Sequence, residues 1–486
     1  MKPGRSLCHL LLLVLLLPGV GGILPVQPVA ATERDTITVA EVPQAAPIPI
    51  EVVAPFLGAY SPNTTIAWDN YTLWFLRPPF QSQLLPNGDG TYTFAHGWLS
   101  GTLMQFVPNE SGGTSVVLLS SDGVWREFAR SGEIYPDLSP ELRRSLELLL
   151  DQKVADSSIP GAALYVNIPG QGMWLGARGL ADQGRGIPMV PLDRFRIASV
   201  TKTFVATVVL QLMQEGWLTL DDTVERWLPG MVPNGNRMNI RHLLNHTSGL
   251  YDYLDNGFVN RAVANPGRIW RPEEMVAAAV AHRPYFAPGE PGRWRYSNTN
   301  YILLGMIVER TTGNPLAYEV RQRIINPLGL QNTFFDPEEI NAAGVTRGYV
   351  GRRDYTDINM SFVWAAGGMV STAEDLGRFI KALSEGALLG PEALATMHSF
   401  IDVQGAWGSK DLVYGMGLMQ SVLHIETNDP YYHGVVRGHT GALTGYRTAM
   451  WYLPNSGITI VANVNQMYAD PNDILGDALD IILAHQ

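Results

Sequence analysis

Short hydrophobic runs separated by polar turn signals predict a β-rich region over residues 51–130. The apolar runs contain many aromatic and β-branched residues, as in YTLWFL and TSVVLLSS, and turn-forming stretches such as PNGDG separate them. Strands of this length and spacing are typical of small antiparallel barrels and sandwiches. We therefore predict a small all-β barrel or sandwich domain over residues 51–130.

A helical pattern begins after YPDLSP, where Ser139 and Pro140 suit the N-cap and first residue of a helix. Residues 131–140 are accordingly assigned to a linker. The following stretch is mainly helical and loop-rich to about residue 400, apart from an early strand pattern, GAALYVNI. Strand patterns return near the end in YRTAMWYLP and GITIVANVN. Strands at both ends predict an α+β fold over residues 141–486, with an antiparallel sheet flanked by helices and a helical subdomain.

The first 31 residues have the layout of a secretory signal peptide. Two basic residues precede an apolar run from Leu10 to Leu17, and a Pro/Gly break follows. This run is short for a transmembrane helix. Cleavage after Gly22 or after Ala31 would fit, and the Pro/Ala-rich residues 32–50 are assigned to a linker. We expect a secreted, periplasmic or cell-envelope protein that contacts membrane only through an uncleaved signal, if at all.

The composition narrows the classes of partner. A net charge of −11 on 486 residues argues against nucleic acid. The single cysteine, Cys8, lies in the predicted signal, so the mature protein would have no disulfide and no cysteine-ligated metal. The ten histidines show no clear metal-binding spacing, and no phosphate-binding glycine loop occurs. We predict no metal and no other cofactor.

The main chemical signal is a lysine within an apolar helix. In FRIASVTKTFVATVV, Lys202 is one of five lysines in the chain, and its neighbours leave the helix almost no polar face. If the helix begins near Ser199, then Ser199 and Lys202 lie on the same face at its N-terminal turn. A desolvated amine has a lowered pKa and can accept the proton of a neighbouring hydroxyl. The S-x-x-K pattern alone is weak, because an N-capping serine and a lysine extending to solvent would also produce it.

Two further motifs make the signal specific. Y-S-N precedes another apolar helix in YSNTNYILLG, and H-T-G begins a strand in HTGALTGYRTAMWYLP. In this order, S-x-x-K, Y-S-N and H-T-G resemble the motifs of penicillin-recognising serine hydrolases, in the branch of class C β-lactamases, serine D-Ala-D-Ala carboxypeptidases and related esterases. RHLLNHTSGL and AAGGMVSTAEDLGRFI are similar to that branch as well. The resemblance covers about residues 141–486 and implies a β-lactamase/transpeptidase-like fold.

The resemblance implies a role for each matched residue. Ser199 would be the nucleophile that forms an acyl-enzyme, and Lys202 would help to deprotonate it. Tyr296, with its pKa lowered by the nearby cation, would relay the proton to the leaving group. Asn298 would orient Lys202 and the substrate amide. The backbone N–H groups of Ser199 and Ala442 would form the oxyanion hole.

The H-T-G motif departs from the commoner family pattern, which has lysine in the first position. The resemblance implies that His439, Thr440 and Gly441 bind the substrate, with His439 and Thr440 facing its carboxylate. A neutral imidazole attracts a carboxylate less than an ammonium does, so carboxylate preference would rise only as the pH falls through about 6.5. The alternative for His439 is a strand-end histidine bonded within the sheet, and for Gly441 a close approach of two backbones.

These roles predict an exported serine hydrolase that opens amide or ester bonds of a small-molecule or peptide substrate. D-amino-acid peptidase or carboxypeptidase and esterase are the favoured activities. A β-lactamase is an alternative, although no motif identifies the activated water that deacylation needs. A catalytically silent penicilloyl-binding sensor or scaffold is another, although no catalytic group is missing. The chain has no G-x-S-x-G, which disfavours an α/β-hydrolase.

The β-rich region has a resemblance of its own. Stretches such as LLPNGDGTYTF are similar to the lipocalin-like β-domain that often follows the catalytic domain in this family. Here the region precedes the catalytic domain. It would serve either as a passive spacer or as a lid or binding module near the active site.

Overall fold

The computed structural model describes eight strands within residues 58–129 and five longer stretches of the chain. The longer stretches are 138–156, 159–340, 344–403, 405–423 and 434–485. The predicted signal peptide over 1–31 and the linker over 32–50 lie outside the described residues, as does most of the predicted linker over 131–140.

The N-terminal strands form one antiparallel sheet in which each strand pairs with the next in sequence. They are β1 Gly58–Tyr60, β2 Thr64–Asp69, β3 Thr72–Arg77, β4 Phe80–Pro86, β5 Thr91–Phe94, β6 Leu103–Pro108, β7 Thr114–Ser120 and β8 Trp125–Ala129. Barrel closure would require hydrogen bonds between the first and the last strand. Among the described residues β1 pairs only with β2, so the closed barrel of the prediction is not found. The likeness to a lipocalin stays a prediction.

The second part of the chain contains fourteen described strands. They are β9 Gly161–Ile168, β10 Gly172–Asp182, β11 Ile187–Pro188, β12 Phe195–Arg196, β13 Phe334–Phe335, β14 Tyr349–Val350, β15 Arg353–Asp354, β16 Met369–Ser371, β17 Ile401–Asp402, β18 Val413–Tyr414, β19 Met419–Val422, β20 Val435–Leu443, β21 Tyr446–Tyr452 and β22 Thr459–Val464. Nine of them form an antiparallel sheet in the order β11-β10-β9-β22-β21-β20-β19-β18-β17. The sheet joins strands from both ends of residues 141–486, which confirms the predicted architecture.

The described helices are α1 Pro140–Asp156, α2 Thr201–Gln214, α3 Val224–Trp227, α4 Ile240–Leu244, α5 Asn256–Ala264, α6 Pro272–Val280, α7 Asn298–Thr312, α8 Leu316–Val320, α9 Asn326–Leu328, α10 Trp364–Gly367, α11 Ala373–Ser384, α12 Pro391–Met397 and α13 Pro471–Ala484. Helices α1 and α13 pack against one face of the nine-stranded sheet, and α11 packs against the other. Within the described part of the chain, no helix has both the length and the apolar character needed to span a membrane.

Alternate residues of the central strand β9 belong to two separate cores. Ala163 and Tyr165 pack with the core that contains α2 and α11, whereas Ala162 and Leu164 pack with the core that contains α1 and α13. All eight residues of β9 are therefore buried. Burial on both faces explains why GAALYVNI is continuously apolar instead of alternating.

A small three-stranded sheet, ordered β12-β16-β13, holds the start of α2 in place. Its strand β12 carries Arg196, whose Nε donates to Asp336 Oδ2 at 2.8 Å in a buried ion pair. The backbone N–H of Ile197 donates to Met369 O at 3.0 Å. These bonds fix the chain immediately before Ser199.

Candidate active site

Ser199 lies in a 3-10 turn, Ala198–Val200, between β12 and α2. Ala198 has a φ of 49°, in the left-handed region that residues with a Cβ rarely adopt. Ala198 and Val200 are buried, whereas Ser199 is partly exposed. The strained turn therefore presents the Ser199 hydroxyl at the end of a buried helix.

The Lys202 ammonium is completely buried and has three acceptors. Its Nζ lies 3.1 Å from Ser199 Oγ, 2.8 Å from Asn298 Oδ1 and 2.6 Å from Ala366 O. Asn298 is the first residue of α7, and Ala366 lies in α10. A protonated lysine donates to all three partners. A neutral lysine still donates to the amide and carbonyl oxygens, and its lone pair then faces the Ser199 hydroxyl.

Burial lowers the pKa of Lys202 to about 7, and the Asp252 carboxylate opposes this shift. A lysine with this pKa is about half neutral at pH 7. General-base catalysis is most efficient when the pKa of the base lies near the working pH. The structure therefore gives Lys202 both the position and the proton affinity of a base for Ser199.

Asn298 connects Lys202 to a carboxylate that the sequence motifs do not include. While its Oδ1 accepts from Lys202, its Nδ2 donates to Asp252 Oδ2 at 3.0 Å and to Oδ1 at 3.3 Å. The backbone N–H of Asn298 also donates to Asp252 Oδ1, at 3.1 Å. The first residue of α7 is thus fixed by both its backbone and its side chain.

The half-buried Tyr296 completes the group around Ser199. Its hydroxyl is hydrogen-bonded to Ser199, and Lys202 Nζ lies 4.9 Å from the centroid of its ring. The prediction that the cation lowers the pKa of Tyr296 is wrong: burial raises this pKa well above its usual value. The physical reason is that Lys202 lies over the ring face while desolvation disfavours the phenolate. Tyr296 is therefore a neutral O–H donor at neutral pH.

A second buried network runs from the start of α7 to β20. The backbone N–H of Ser297 donates to His246 Nδ1 at 3.2 Å, which assigns the imidazole proton to Nε2. His246 Nε2 then donates to Tyr414 Oη at 3.3 Å, and Tyr414 donates to His439 Nε2 at 2.9 Å. His439 Nδ1 donates to Thr440 O at 2.6 Å. One assignment of protons satisfies the whole chain of bonds.

His439 is completely buried, and both of its ring nitrogens have partners within the protein. Burial, with a smaller contribution from the nearby Lys202, lowers its pKa to about 3. This placement does not support the prediction that His439 faces a substrate carboxylate or charges near pH 6.5. It fits the alternative of a histidine bonded within the sheet, because desolvation and two hydrogen bonds keep the ring neutral.

Gly441 lies directly against the turn that carries Ser199. A Cβ atom at this position would be 2.1 Å from Ile197 O and 3.1 Å from Ala198 Cβ, so only glycine lets β20 approach so closely. Ala442 is the next residue of this strand, and the oxyanion hole of Ser199 and Ala442 stays a prediction. The buried Thr440 hydroxyl contacts Met419 Sδ at 3.8 Å, and its predicted contact with substrate also stays a prediction.

An aromatic surface borders Tyr296. The ring of Trp407 meets that of Tyr296 edge to face at a centroid distance of 5.3 Å and that of Trp294 at 5.6 Å. Trp407 is partly exposed, and its φ of 55° is in the left-handed region. Backbone strain of this kind is often concentrated at binding sites. The surface supplies an apolar contact beside Tyr296.

The sequence motifs bring together Ser199, Lys202, Tyr296 and Asn298 but miss three residues around them. Asp252 follows the stretch RHLLNHTSGL, which resembles a structural element of the family and so carried no site prediction. His246 lies within that stretch, and Tyr414 lies 25 residues before His439. No spacing rule joins these positions, since only the fold brings them into contact. Among the described residues, no cluster of three or more His, Cys, Asp or Glu side chains could hold a metal ion.

Comparison with known proteins identifies the family. The family model described as Beta-lactamase matches residues 146–484, so the chain belongs to this family of penicillin-recognising serine hydrolases. Esterase EstB from Burkholderia gladioli is 30% identical over 366 residues, which are 67% of this chain and 91% of the esterase.

Two solved structures are also similar. A D-stereospecific amidohydrolase from Streptomyces sp. is 34% identical with a TM-score of 0.58, over 70% of this chain and 98% of the amidohydrolase. A D-amino acid amidase from Ochrobactrum anthropi SV3, complexed with L-phenylalanine, is 30% identical with a TM-score of 0.63, over 71% of this chain and 99% of the amidase. The protein is thus a serine hydrolase with the β-lactamase/transpeptidase-like fold.

Proposed function

We propose that this protein is an exported hydrolase of esters and D-amino-acid amides that acts through an acyl-enzyme on Ser199. The observation that carries the proposal is the placement of Lys202 Nζ between Ser199 Oγ, Asn298 Oδ1 and Ala366 O. This placement provides an amine that is partly neutral at neutral pH and directed at the nucleophile. Export rests on the N-terminal sequence pattern.

Acylation follows from these contacts. As Ser199 Oγ attacks the carbonyl carbon, its proton passes to the neutral Lys202, and the carbonyl oxygen becomes an oxyanion. The backbone N–H groups of Ser199 and Ala442 would bind this oxyanion. When the tetrahedral intermediate collapses, Tyr296 donates its proton to the departing alkoxide or amine and regains one from Lys202. The products of this step are the acyl-Ser199 ester and the free alcohol or amine.

Deacylation uses the same groups in reverse. A water molecule attacks the acyl carbon, and its proton is taken up by the neutral Lys202. The second intermediate collapses when Ser199 Oγ leaves and recovers a proton. The sum of the two steps is hydrolysis to a carboxylic acid and an alcohol or amine, with Ser199 and Lys202 restored.

The neutral second network favours substrates without a free carboxylate. His439 occupies the position where the commoner motif has a lysine, and its neutral ring is already bonded to Tyr414 and Thr440. Carboxypeptidase substrates end in a carboxylate, and a buried neutral imidazole gives this group no charge to pair with. The similar esterase and D-amino acid amidase take their names from esters and amides, whose carbonyl groups carry no charge. These names support the same substrate class.

The test combines covalent labelling with a substrate panel. A fluorophosphonate probe should label the wild type, and mass spectrometry should place the adduct on Ser199. Ser199→Ala should lose both labelling and turnover, whereas Ser145→Ala, on the surface helix α1, should keep both. The panel contains p-nitrophenyl esters, D- and L-phenylalanine amides, a D-Ala-D-Ala peptide and a penicillin. An adduct on another residue would refute the nucleophile, and fastest turnover of the free-acid peptide or the penicillin would refute the substrate class.

A further inference from the structure

A carboxylate that no catalytic motif contains lies behind the Ser199–Lys202 pair. Asp252 is located in the loop between α4 and α5. Its oxygens accept from the backbone N–H of Leu254 at 3.1 Å, from the backbone N–H of Asn298 at 3.1 Å and from Asn298 Nδ2 at 3.0 Å. Burial raises the pKa of this carboxyl, whereas the bonds from these N–H donors and the nearby Lys202 ammonium oppose the rise and favour the ionised form.

The Asn298 side chain is held between this anion and a cation. Its carbonyl oxygen faces Lys202 Nζ at 2.8 Å, and its amide nitrogen faces Asp252. A rotation of the amide by 180° would place N–H groups against the lysine and the carbonyl oxygen against the carboxylate. Both hydrogen bonds would be lost and replaced by repulsion, so the two charges together permit one orientation.

The other groups around Lys202 are uncharged at neutral pH. His246 and His439 have pKa values lowered by burial, and Tyr296 and Tyr301 have pKa values raised by burial. The remaining hydrogen-bond partners are the Ser199 hydroxyl and two oxygens of amide groups. The charge that acts on Lys202 among these described neighbours is therefore that of Asp252, which raises the lysine pKa.

We propose that Asp252 is a positioning residue that fixes the orientation of Asn298 and thereby holds Lys202 Nζ against Ser199 Oγ. The inference deepens the proposed function, because it rests on Lys202 acting as the base. Asp252 does not touch the reacting atoms and acts through Asn298. Its loss should therefore alter the rate and its dependence on pH while leaving the nucleophile in place.

The decisive variant is Asp252→Asn, a neutral side chain of the same shape. We expect kcat/KM for a p-nitrophenyl ester at pH 8 to fall about 10- to 100-fold, as for loss of a hydrogen bond to a charged group. Lys202 must be neutral to act, so activity rises with pH through its pKa. Removing the anion makes the protonated lysine less favourable, and the acid limb of the pH–rate profile should shift to lower pH.

The matched control is Asp255→Asn, three residues further along the same loop. Asp255 caps α5 by accepting from Phe258 N at 2.8 Å, and asparagine is an equally good N-cap. This variant removes the same charge from a site without a bond to Asn298, and its acid limb should coincide with that of the wild type. A common shift in both variants, or a wild-type profile in Asp252→Asn, would overturn the proposal.

A second variant keeps the proposal testable if Asp252→Asn does not fold, which a measurement of thermal unfolding would reveal. Asp252→Glu keeps the charge but moves it by one methylene, so its acid limb should stay at the wild-type pH while kcat falls. A limb displaced to lower pH in this variant would contradict the inference. The proposed function fails separately: it is refuted if Ser199→Ala retains turnover, whatever the Asp252 variants do.

Discussion

The site lies between two buried polar networks that differ in whether they can change charge. On the α2 side, Lys202 contacts Ser199 and Asn298, with the carboxylate of Asp252 behind them. On the β20 side, two histidines and Tyr414 form a chain of neutral hydrogen bonds. Both networks are hydrogen-bonded to the start of α7. The network of Lys202 is called the titrating side below, and the network of the two histidines and Tyr414 is called the neutral side.

The difference shows how the same physical effect produces opposite results for two kinds of base. Burial disfavours the charged form of any amine or imidazole. It lowers the pKa of Lys202 from 10.5 to about 7, where the group can exchange a proton with the nucleophile. It lowers the pKa of His439 from 6.5 to about 3, where the group stays neutral at any ordinary pH. The lysine gains the proton affinity that a general base needs, and the histidine becomes a fixed hydrogen-bonding element.

Removing the titrating side should have the largest effect. Lys202→Ala should lower kcat/KM for a p-nitrophenyl ester by about 1000-fold or more, because the proton acceptor for Ser199 disappears. Lys153→Ala is the control. Lys153 lies in α1 and forms an ion pair with Asp477 of α13 at 2.7 Å, on the face of the sheet opposite to α2. If Lys202→Ala kept near wild-type turnover at neutral pH, Lys202 would be a packing residue.

Separating the two sides should be the next most damaging change. Gly441→Ala places a methyl group where Ile197 O is 2.1 Å away, so β20 must move from the Ser199 turn. We expect kcat/KM to fall about 100-fold, the usual effect of losing an oxyanion-hole donor. Gly267→Ala is the control, because a Cβ there meets no atom within 4 Å. If the kcat/KM values of the two variants differ by less than about twofold, this role for Gly441 is refuted.

Breaking the neutral side should reduce stability more than rate. Tyr414→Phe removes the hydroxyl that joins His246 to His439 and leaves two buried ring nitrogens without this partner. The free energy of unfolding should fall by about 1–3 kcal/mol. Tyr318→Phe, at a side chain that is 50% exposed, serves as the control in urea denaturation. An unchanged free energy of unfolding in Tyr414→Phe would show that the chain of bonds contributes nothing.

The smallest expected effect concerns His439, whose neutral ring should give no pH-dependent preference for a substrate with a carboxylate. For a substrate with a terminal carboxylate and its methyl ester, the ratio of kcat/KM values should stay constant within about twofold from pH 5.5 to 8. The pKa of His439 is about 3, so the ring does not charge in this range. The pKa of Lys202 affects both substrates equally. A preference for the free acid that grows below about pH 6.5 would mean that a charged His439 imidazole binds the substrate carboxylate.

Local patterns predict much of the fold and the central part of the site. The continuous apolar sequence of β9 and the final strands β21 and β22 are visible as short runs, and the sheet confirms them. Ser199 and Lys202 are three residues apart in sequence, so helical geometry alone brings them together.

Local sequence patterns do not predict contacts between segments that are far apart in the chain. Asp252 precedes Asn298 by 46 residues, and no periodicity links them. The sign of the Tyr296 pKa shift was missed for a related reason. A motif shows that a cation is near, but only the packed structure shows that desolvation outweighs it. Closure of the N-terminal sheet likewise depends on its edge strands, whose pairing no local pattern specifies.

The most direct test of a lysine base for Ser199 is a titration of Lys202 itself. The chain has only five lysines, so ¹³Cε-lysine labelling gives a simple NMR spectrum in which the Lys202 signal is the one missing from Lys202→Ala. If Lys202 is the base for Ser199, this signal should titrate with a midpoint of about pH 7. A Lys202 signal whose chemical shift does not change up to about pH 9 would mean that the amine stays protonated where the enzyme works. That result would contradict a lysine base for Ser199.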